Sequence, residues 1–404
     1  MRFGKYLSAM VLLIGVSSCT LDEPDEESLP PMDIVESANL PVPVDETSEP
    51  TDALMTYQWV SQMQLPNGLL ESASDTDFVS LYDNALAALV YIGHGDFTSA
   101  ERIFDYFESH IEDELQQETG GFFQFRNTEG MEGERRWLGD NAWLLIALNN
   151  YHNTTGTERY QKLSTALERW IRSLQDVDGG LMGGTEANGN EIHKVTEGII
   201  TAFNAVPGYD NFHKGILLFL EENRWDNVSR TLTAWPENPA YLHALDLHPL
   251  GQGIFEEFPK SQLYLADDWY LTTKTNTTNG EPITGYCFDV DKDVVWLEGT
   301  AQMAMAFDRI GDMGKASELL SSLERTFIQA TAMQDAQGIP YATNLGSTYG
   351  SEMLWDHADF TPALSSTAWY LLAKKGFDPL AVGKQKNIPE TDRFWIQNET
   401  AKLP

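Results

Sequence analysis

Six positions along this chain carry an acid or a small polar residue at the head of an apolar, alanine-rich stretch. Asp83 opens Asp83-Asn84-Ala85-Leu86, and Asp140 opens Asp140-Asn141-Ala142-Trp143. Glu197 opens Glu197-Gly198-Ile199, and Glu298 opens Glu298-Gly299-Thr300-Ala301. Asp246, ahead of Leu247-His248-Pro249, and Ser365, ahead of Ser366-Thr367-Ala368, complete the series. Carboxyls gathered in one place raise one another's pKa, so that one keeps its proton while a neighbour ionises. That combination serves general acid–base chemistry on an acetal. Asp83, Asp140, Glu197 and Glu298 are therefore the candidate catalytic residues, with Asp246 and Asp356 as further candidates. Glu298 and Asp83 come first, because Trp296 and Tyr82 stand beside them. An acid at a helix start also serves as a plain cap on free backbone donors, a competing role for each of them.

The elements that must position these acids follow from their spacing. The heads fall at 83, 140, 197, 246, 298 and 365, with separations of 57, 57, 49, 52 and 67. Each begins a stretch apolar nearly all round, as a buried helix requires. A short turn follows, such as His94-Gly95-Asp96, Thr155-Gly156-Thr157 or Gly311-Asp312-Met313-Gly314. An amphipathic helix comes next, as in Ala100 to Phe107 and Lys162 to Leu174. Glycine-rich connections, among them Pro66-Asn67-Gly68, Gly120-Gly121, Gly179-Gly180 and Gln337-Gly338, lead back to the next buried helix. The pattern predicts an all-α fold: an (α/α)6 barrel of six helical hairpins, with short β-hairpin loops and the acids on one face. No run of period-two alternation is long enough for a large sheet.

This six-unit grammar, the Asp140-Asn141-Ala142-Trp143 block and the Trp296-Leu297-Glu298-Gly299-Thr300 block resemble the six-hairpin glycosidase superfamily over roughly residues 54 to 385. The resemblance implies an (α/α)6 toroid and a glycoside hydrolase acting on a neutral poly- or oligosaccharide through paired carboxylates, without a cofactor. The Asp140 block is also reminiscent of the bacterial α-1,6-mannanases. The adjacent Asp-Asp pair of that family is missing at the corresponding position, so the substrate is not carried over. Asp267-Asp268 is such a pair, but it lies on a predicted outer segment. Sugar rings stack on aromatic faces, which makes Tyr82, Trp137, Trp143, Trp296, Tyr341 and Trp355 candidate substrate-binding residues, together with Arg136. Core packing is the competing role, above all for Trp143, which lies inside an apolar helix. Two alternatives remain: a polysaccharide lyase on a uronate polymer, using Tyr82, His193 and Arg136, and a non-catalytic surface glycan-binding lipoprotein. A sugar epimerase on such a toroid wants a pair of histidines, and the buried-helix heads supply none.

Charge and the N-terminus bound the partners. The 404 residues include 61 acids against 26 Lys and Arg, a net charge of −35. That balance excludes nucleic acid and argues against anionic membranes and polymers as partners. Residues 1–18 have a basic head (Arg2, Lys5) and an apolar run from Leu7 to Val16, the pattern of a signal peptide. Ser17-Ser18-Cys19 resembles a bacterial lipobox, with Cys19 lipidated. Residues 20 to 52 hold eleven acids, no Lys or Arg and six prolines, so 19–52 is expected to be an extended tether. The catalytic domain is placed at 53–390 and a C-terminal tail at 391–404. The protein is thus expected in the bacterial cell envelope, anchored to the outer membrane by lipid only, periplasmic or surface-exposed, and monomeric. No metal is expected. Asp289-Val290-Asp291-Lys292-Asp293 begins like a calcium loop, but Val294 and Thr300 occupy the positions where an EF-hand needs Gly and Glu. His243 and His248 do not make a zinc motif. Cys287 has no disulfide partner once Cys19 is lipidated.

Overall fold

The computed structural model describes residues 51–397, apart from 118, 132, 134, 351 and 355–358. Cys19, the signal and tether segments, Trp355 and Asp356 lie outside the described residues. Twelve main helices follow in order: α1 (Asp52–Gln62), α2 (Leu81–His94), α3 (Phe97–Ser109), α4 (Leu138–Thr155), α5 (Gln161–Arg172), α6 (Thr196–Ala205), α7 (Asn211–Asn223), α8 (Leu247–Ile254), α9 (Ser261–Tyr270), α10 (Leu297–Ile310), α11 (Met313–Glu324) and α12 (Leu364–Lys375).

The even-numbered helices are the apolar ones. α2 is buried continuously from Asp83 to Ile92, and α6 along its whole length. They pack side by side, α2 on α4, α4 on α6 and so on, and α12 returns to α2, closing an inner ring. The outer helices bury one stripe each: α5 contributes Leu163, Leu167, Trp170 and Ile171 and leaves its charges in solvent. Left-handed glycines end α2 (Gly95), α4 (Gly156), α10 (Gly311) and α12 (Gly376). Asp96 and Asp312 then cap the outer helices that follow two of them, accepting from Ser99 N and Lys315 N at 3.2 Å. One hairpin differs from the sequence expectation. The outer partner of α12 is not a helix that follows it but α1, which comes first in the chain, packs on α12 and buries Trp59 and Val60.

Short antiparallel ribbons occupy the face where outer helices lead to inner ones. Val79–Ser80 pairs with Phe125–Arg126, and Arg136–Trp137 with Gly184–Thr185, so each ribbon laces the connections of neighbouring units together. The opposite end is plugged by the C-terminal segment. Asn150 donates to Pro379 O at 2.8 Å, Asn204 to Leu380 O at 3.1 Å, and Lys386 to Val206 O, while Arg309 grips Asp378 with two nitrogens. The packing continues beyond residue 390, for Phe394 and Trp395 are buried.

The Asp-Asn-Ala blocks explain how the acid-bearing face is held. Asn84 Oδ1 accepts from Leu70 N at 2.8 Å, and its Nδ2 donates to Leu70 O and Ser80 O. Asn141 makes the same three bonds to Phe122 N, Phe122 O and Trp137 O. Thr300 does this work two residues after Glu298, accepting from Tyr286 N and donating to Trp296 O. Each side chain thus clamps a loop to the first turn of an inner helix, beside the acid. Asn84→Ala would leave a buried amide and a buried carbonyl unpaired, with an expected loss of about 3 kcal/mol in urea unfolding. Asn67→Ala, a half-buried turn residue of the same loop that bonds Leu69 N and Thr128 O, is the comparison and should cost less, about 1 kcal/mol.

Candidate active site

Asp83, Asp140, Glu197, Asp246 and Glu298 line one cleft at the acid-bearing end of the inner ring, enclosing ≈ 960 Å³ with its open mouth. All five are between 3% and 7% exposed. The first-turn acids are not caps. Ser80 caps α2, and α4, α6 and α10 have no side-chain cap. The carboxyls are therefore directed to the cleft instead of to their own helix ends. Gly139 makes room for one of them: a Cβ there would stand 2.9 Å from Glu197 Oε2.

The hydrogen bonds divide the acids. Glu298 Oε1 accepts from Tyr82 Oη at 2.6 Å and from Gln302 Nε2 at 3.1 Å, and Trp369 Nε1 donates to Tyr82 Oη at 2.9 Å. Glu197 Oε1 accepts from Thr201 Oγ1 at 2.8 Å. Asp140 Oδ2, Glu197 Oε2 and Asp246 Oδ1 have no hydrogen-bond partner in the protein. Burial pushes Glu197 and Glu298 up to about 7, opposed by these donors. It lifts Asp83 to about 8, with the charge of Glu298 adding to the rise against a bond from Ser72. Asp140 and Asp246 are held well above the carboxylate range by burial first and by the charge of Glu197 second. Burial thus lifts all five carboxyls above the ordinary carboxylate range.

Aromatic residues complete the wall. Trp143 lies edge-on between Tyr82 and Trp369, 5.6 Å from each, and faces the cleft. Trp296 folds its ring over Gly299, where a Cβ would meet it at 2.1 Å, and packs edge-on to Phe288 at 4.9 Å. Tyr341 also lines the cleft, donating to Ser72 O at 3.4 Å. Trp137 and Arg136 do not line it. Trp137 is fully buried in a separate small cluster with Ile192, its ring covered by the Arg135 guanidinium at 3.7 Å. Arg136 stacks on Phe123 at 4.0 Å and donates to Gly121 O at 3.2 Å. They are neighbours on a ribbon strand just before α4, so their side chains point to opposite faces, and the Trp137 indole Nε1 would stand 3.4 Å from a Cβ on cleft-lining Gly139.

Some cleft residues escaped the sequence reading, among them Gln302, Gln124 and Phe288. Gln302 follows Glu298 by four residues, and Thr201 follows Glu197 by four. That spacing puts both partners on one helix face and is the signal that would have found them. Asp267 is an outer residue, bonded to Tyr286 Oη at 2.6 Å and paired with Lys315. Among the described residues no His, Lys or Arg lines the cleft. His193 is exposed and stacks on Trp235 at 3.6 Å. Cys287, Asp289 and Asp291 bring ligand atoms within 4.8 Å of one another. There the thiol donates to Asp291 and Asp293, and these carboxylates accept from Thr348, so the trio is already tied into the loop.

No family model and no curated protein matches the chain. Solved structures do match in fold. An α-amylase from Clostridium perfringens superposes with a TM-score of 0.57 at 12% identity, covering 83% of this chain and all of that one. A glycosidase gives 0.54 at 14% identity, covering 82% of this chain and 96% of that one. The cellobiose 2-epimerase of Bacillus thermoamylovorans gives 0.56 at 10% identity, covering 79% of this chain and 95% of that one. The architecture shared with these structures is the (α/α)6 toroid.

Proposed function

We propose that the chain is a glycoside hydrolase that cleaves a poly- or oligosaccharide free of anionic groups. Glu298 serves as the ionised carboxylate that activates water or attacks the anomeric carbon, and Asp83 as the acid that protonates the leaving oxygen. One observation carries this reading: a single buried cleft holds carboxyls in unlike settings, Glu298 under two donors and Asp83 pushed up to about 8 by burial first, with the charge of Glu298 adding to the rise. Two carboxyls with separated pKa values are the pairing that breaks a glycosidic bond. The same cleft counts against the other chemistries of the fold. A uronate lyase neutralises its substrate's carboxylate with a cation, and an epimerase of this fold uses histidines, and the described cleft residues offer neither.

The reaction begins with the sugar against Trp143 and Trp296 and with water largely excluded. Glu298 acts from the side opposite the leaving group, and the Asp83 proton passes to the glycosidic oxygen. The kcat/KM profile is accordingly expected to be a narrow bell. Activity rises as Glu298 loses its proton through about 7 and falls as Asp83 loses its own through about 8. The bond from Tyr82 lowers the Glu298 pKa, so Tyr82→Phe should move the acidic limb to higher pH and leave the alkaline limb in place. An unmoved acidic limb would detach Glu298 from that limb.

Export and anchoring belong to the same proposal. Cys19 would carry the lipid, and the acidic segment after it would hold the toroid off the outer membrane. Incorporation of labelled palmitate into the wild-type chain, and none into Cys19→Ser, is the test. The activity itself is tested by scoring new reducing ends across glucans, mannans, amino-sugar polymers and uronate polymers, with unsaturated-product absorbance read alongside to expose a lyase.

A further inference from the structure

We infer that Trp369, on the one inner helix whose head carries no acid, is a positioning residue for Glu298: its indole N–H sets the direction of the Tyr82 hydroxyl, whose hydrogen then points to the Glu298 carboxylate. The inference rests on the proposed hydrolysis for the use made of Glu298, while the geometry stands without it. α2, α4, α6 and α10 each bring an acid in the first turn, and α8 follows directly on Asp246, whereas α12 opens on Leu364-Ser365-Ser366. What α12 brings instead lies one turn further in. Trp369 is 1% exposed and follows cleft-lining Ser365 by four residues. α12 packs against both α2 and α10, so it stands where the ring closes, between the helix of Tyr82 and the helix of Glu298.

The bond directions follow from what each group owns. An indole nitrogen has a hydrogen and no lone pair to offer, so Trp369 Nε1 can only donate to Tyr82 Oη, at 2.9 Å. A phenol has one hydrogen and two lone pairs. With one lone pair taken by Trp369, the hydrogen is directed to Glu298 Oε1 at 2.6 Å, the length expected of a bond to an ionised carboxylate. The reverse arrangement, a protonated Glu298 donating to Tyr82, would turn the phenol hydrogen toward the side that the Trp369 N–H already occupies, and a buried donor left unpaired is costly. Donation from Trp369 also polarises the phenol and strengthens its own bond to Glu298. Burial and the charge of Glu298 push the Tyr82 pKa upward, and the bond from Trp369 opposes that rise. The indole is held in turn by Trp143, edge-on at 5.6 Å, which is itself edge-on to Tyr82 at 5.6 Å. Tryptophans that only fill space here direct their N–H elsewhere: Trp170 donates to Thr119 O and Trp395 to Glu256 O, both backbone carbonyls.

The titrating groups that act with Glu298 are Tyr82 and Asp83 on α2, Glu197 on α6, Asp246 ahead of α8 and Tyr341, and a change at position 369 removes none of them. In the full-length chain Trp369 is exchanged for benzothienylalanine, which keeps the ring outline and has sulfur where the N–H was, and Trp369→Phe is made beside it. Each should move the acidic limb of kcat/KM to higher pH by about 0.5 pH unit or more, an about threefold weaker ionisation of Glu298, while KM changes by less than about twofold. In a Tyr82→Phe background the same exchanges should move the limb no further, because the hydroxyl they act through is gone. Thermal unfolding gives a reading that needs no turnover. The stability tied to the Glu298 proton is present below about 4.5 and lost as pH rises through about 7, and a higher folded pKa deepens that loss. The benzothienyl exchange should therefore cost more stability at pH 8 than at pH 4. An acidic limb that stays in place, or one that moves equally with and without the Tyr82 hydroxyl, overturns the inference. If the wild-type chain cleaves no glycan, the hydrolase reading falls and the unfolding comparison decides alone: equal losses at the two pH values overturn the inference, and the larger loss at pH 8 upholds it.

Discussion

Glu298→Gln is expected to lower kcat/KM by about 10³-fold and, in the same protein, to raise the midpoint of thermal unfolding at pH 8. The loss of rate follows from removing the carboxylate that acts on water or carbon. The gain in stability follows from linkage. Burial holds the Glu298 pKa in the folded chain at about 7, against 4.5 for the free side chain. The folded state therefore binds this proton more tightly than the unfolded state does. That contribution is fully present below about 4.5 and is lost as pH rises through about 7. A difference of about 2.5 units corresponds to about 3 kcal/mol withdrawn at pH 8. A glutamine never ionises, so the variant escapes the loss at pH 8 and should differ little from wild type at pH 4, while its amide oxygen can still accept from Tyr82 and Gln302. A residue kept only for packing would behave otherwise: its replacement would lower stability at both pH values and spare the rate. Catalytic sites commonly sacrifice stability in this way.

Asp83→Asn should show a loss that depends on the leaving group. For a natural glycoside, whose departing alkoxide needs a proton, the rate should drop by about 10²–10³-fold. For an aryl glycoside with an acidic phenol the drop should be under about tenfold, because that oxygen leaves without help. The alkaline limb near 8 should vanish with the carboxyl that produces it. Equal losses on both substrates would assign Asp83 to positioning and move the acid to Asp140, which begins the neighbouring inner helix and has Asp83 among the charges that raise its pKa.

Much of this architecture was legible in the residues. The six apolar stretches are the inner ring because a helix apolar on every side has to be surrounded by other helices. The acids at their heads share a cleft because every inner helix starts on the same face. Other features depend on long-range closure, which no local pattern encodes. Nothing in Asp52–Gln62 says that it covers α12, some three hundred residues away; Trp59 and Val60 report only that one side is apolar. Trp137 resembled a sugar platform because it precedes Asp140 closely, but it is fully buried and Arg135 covers its ring. The Asn84 and Asn141 clamps had a visible signature in the repeated Asp-Asn-Ala, yet their partners are backbone atoms of glycine-rich loops and became identifiable only in three dimensions.

The most direct test is the release of reducing ends from the carbohydrate panel by wild type and by Glu298→Gln, measured between pH 6 and pH 9. The account predicts new reducing ends from at least one uronate-free substrate, no unsaturated product, a maximum between about 7 and about 8, and loss of activity in the variant. Undiminished activity in Glu298→Gln, or cleavage confined to uronate polymers with unsaturated ends, would contradict it.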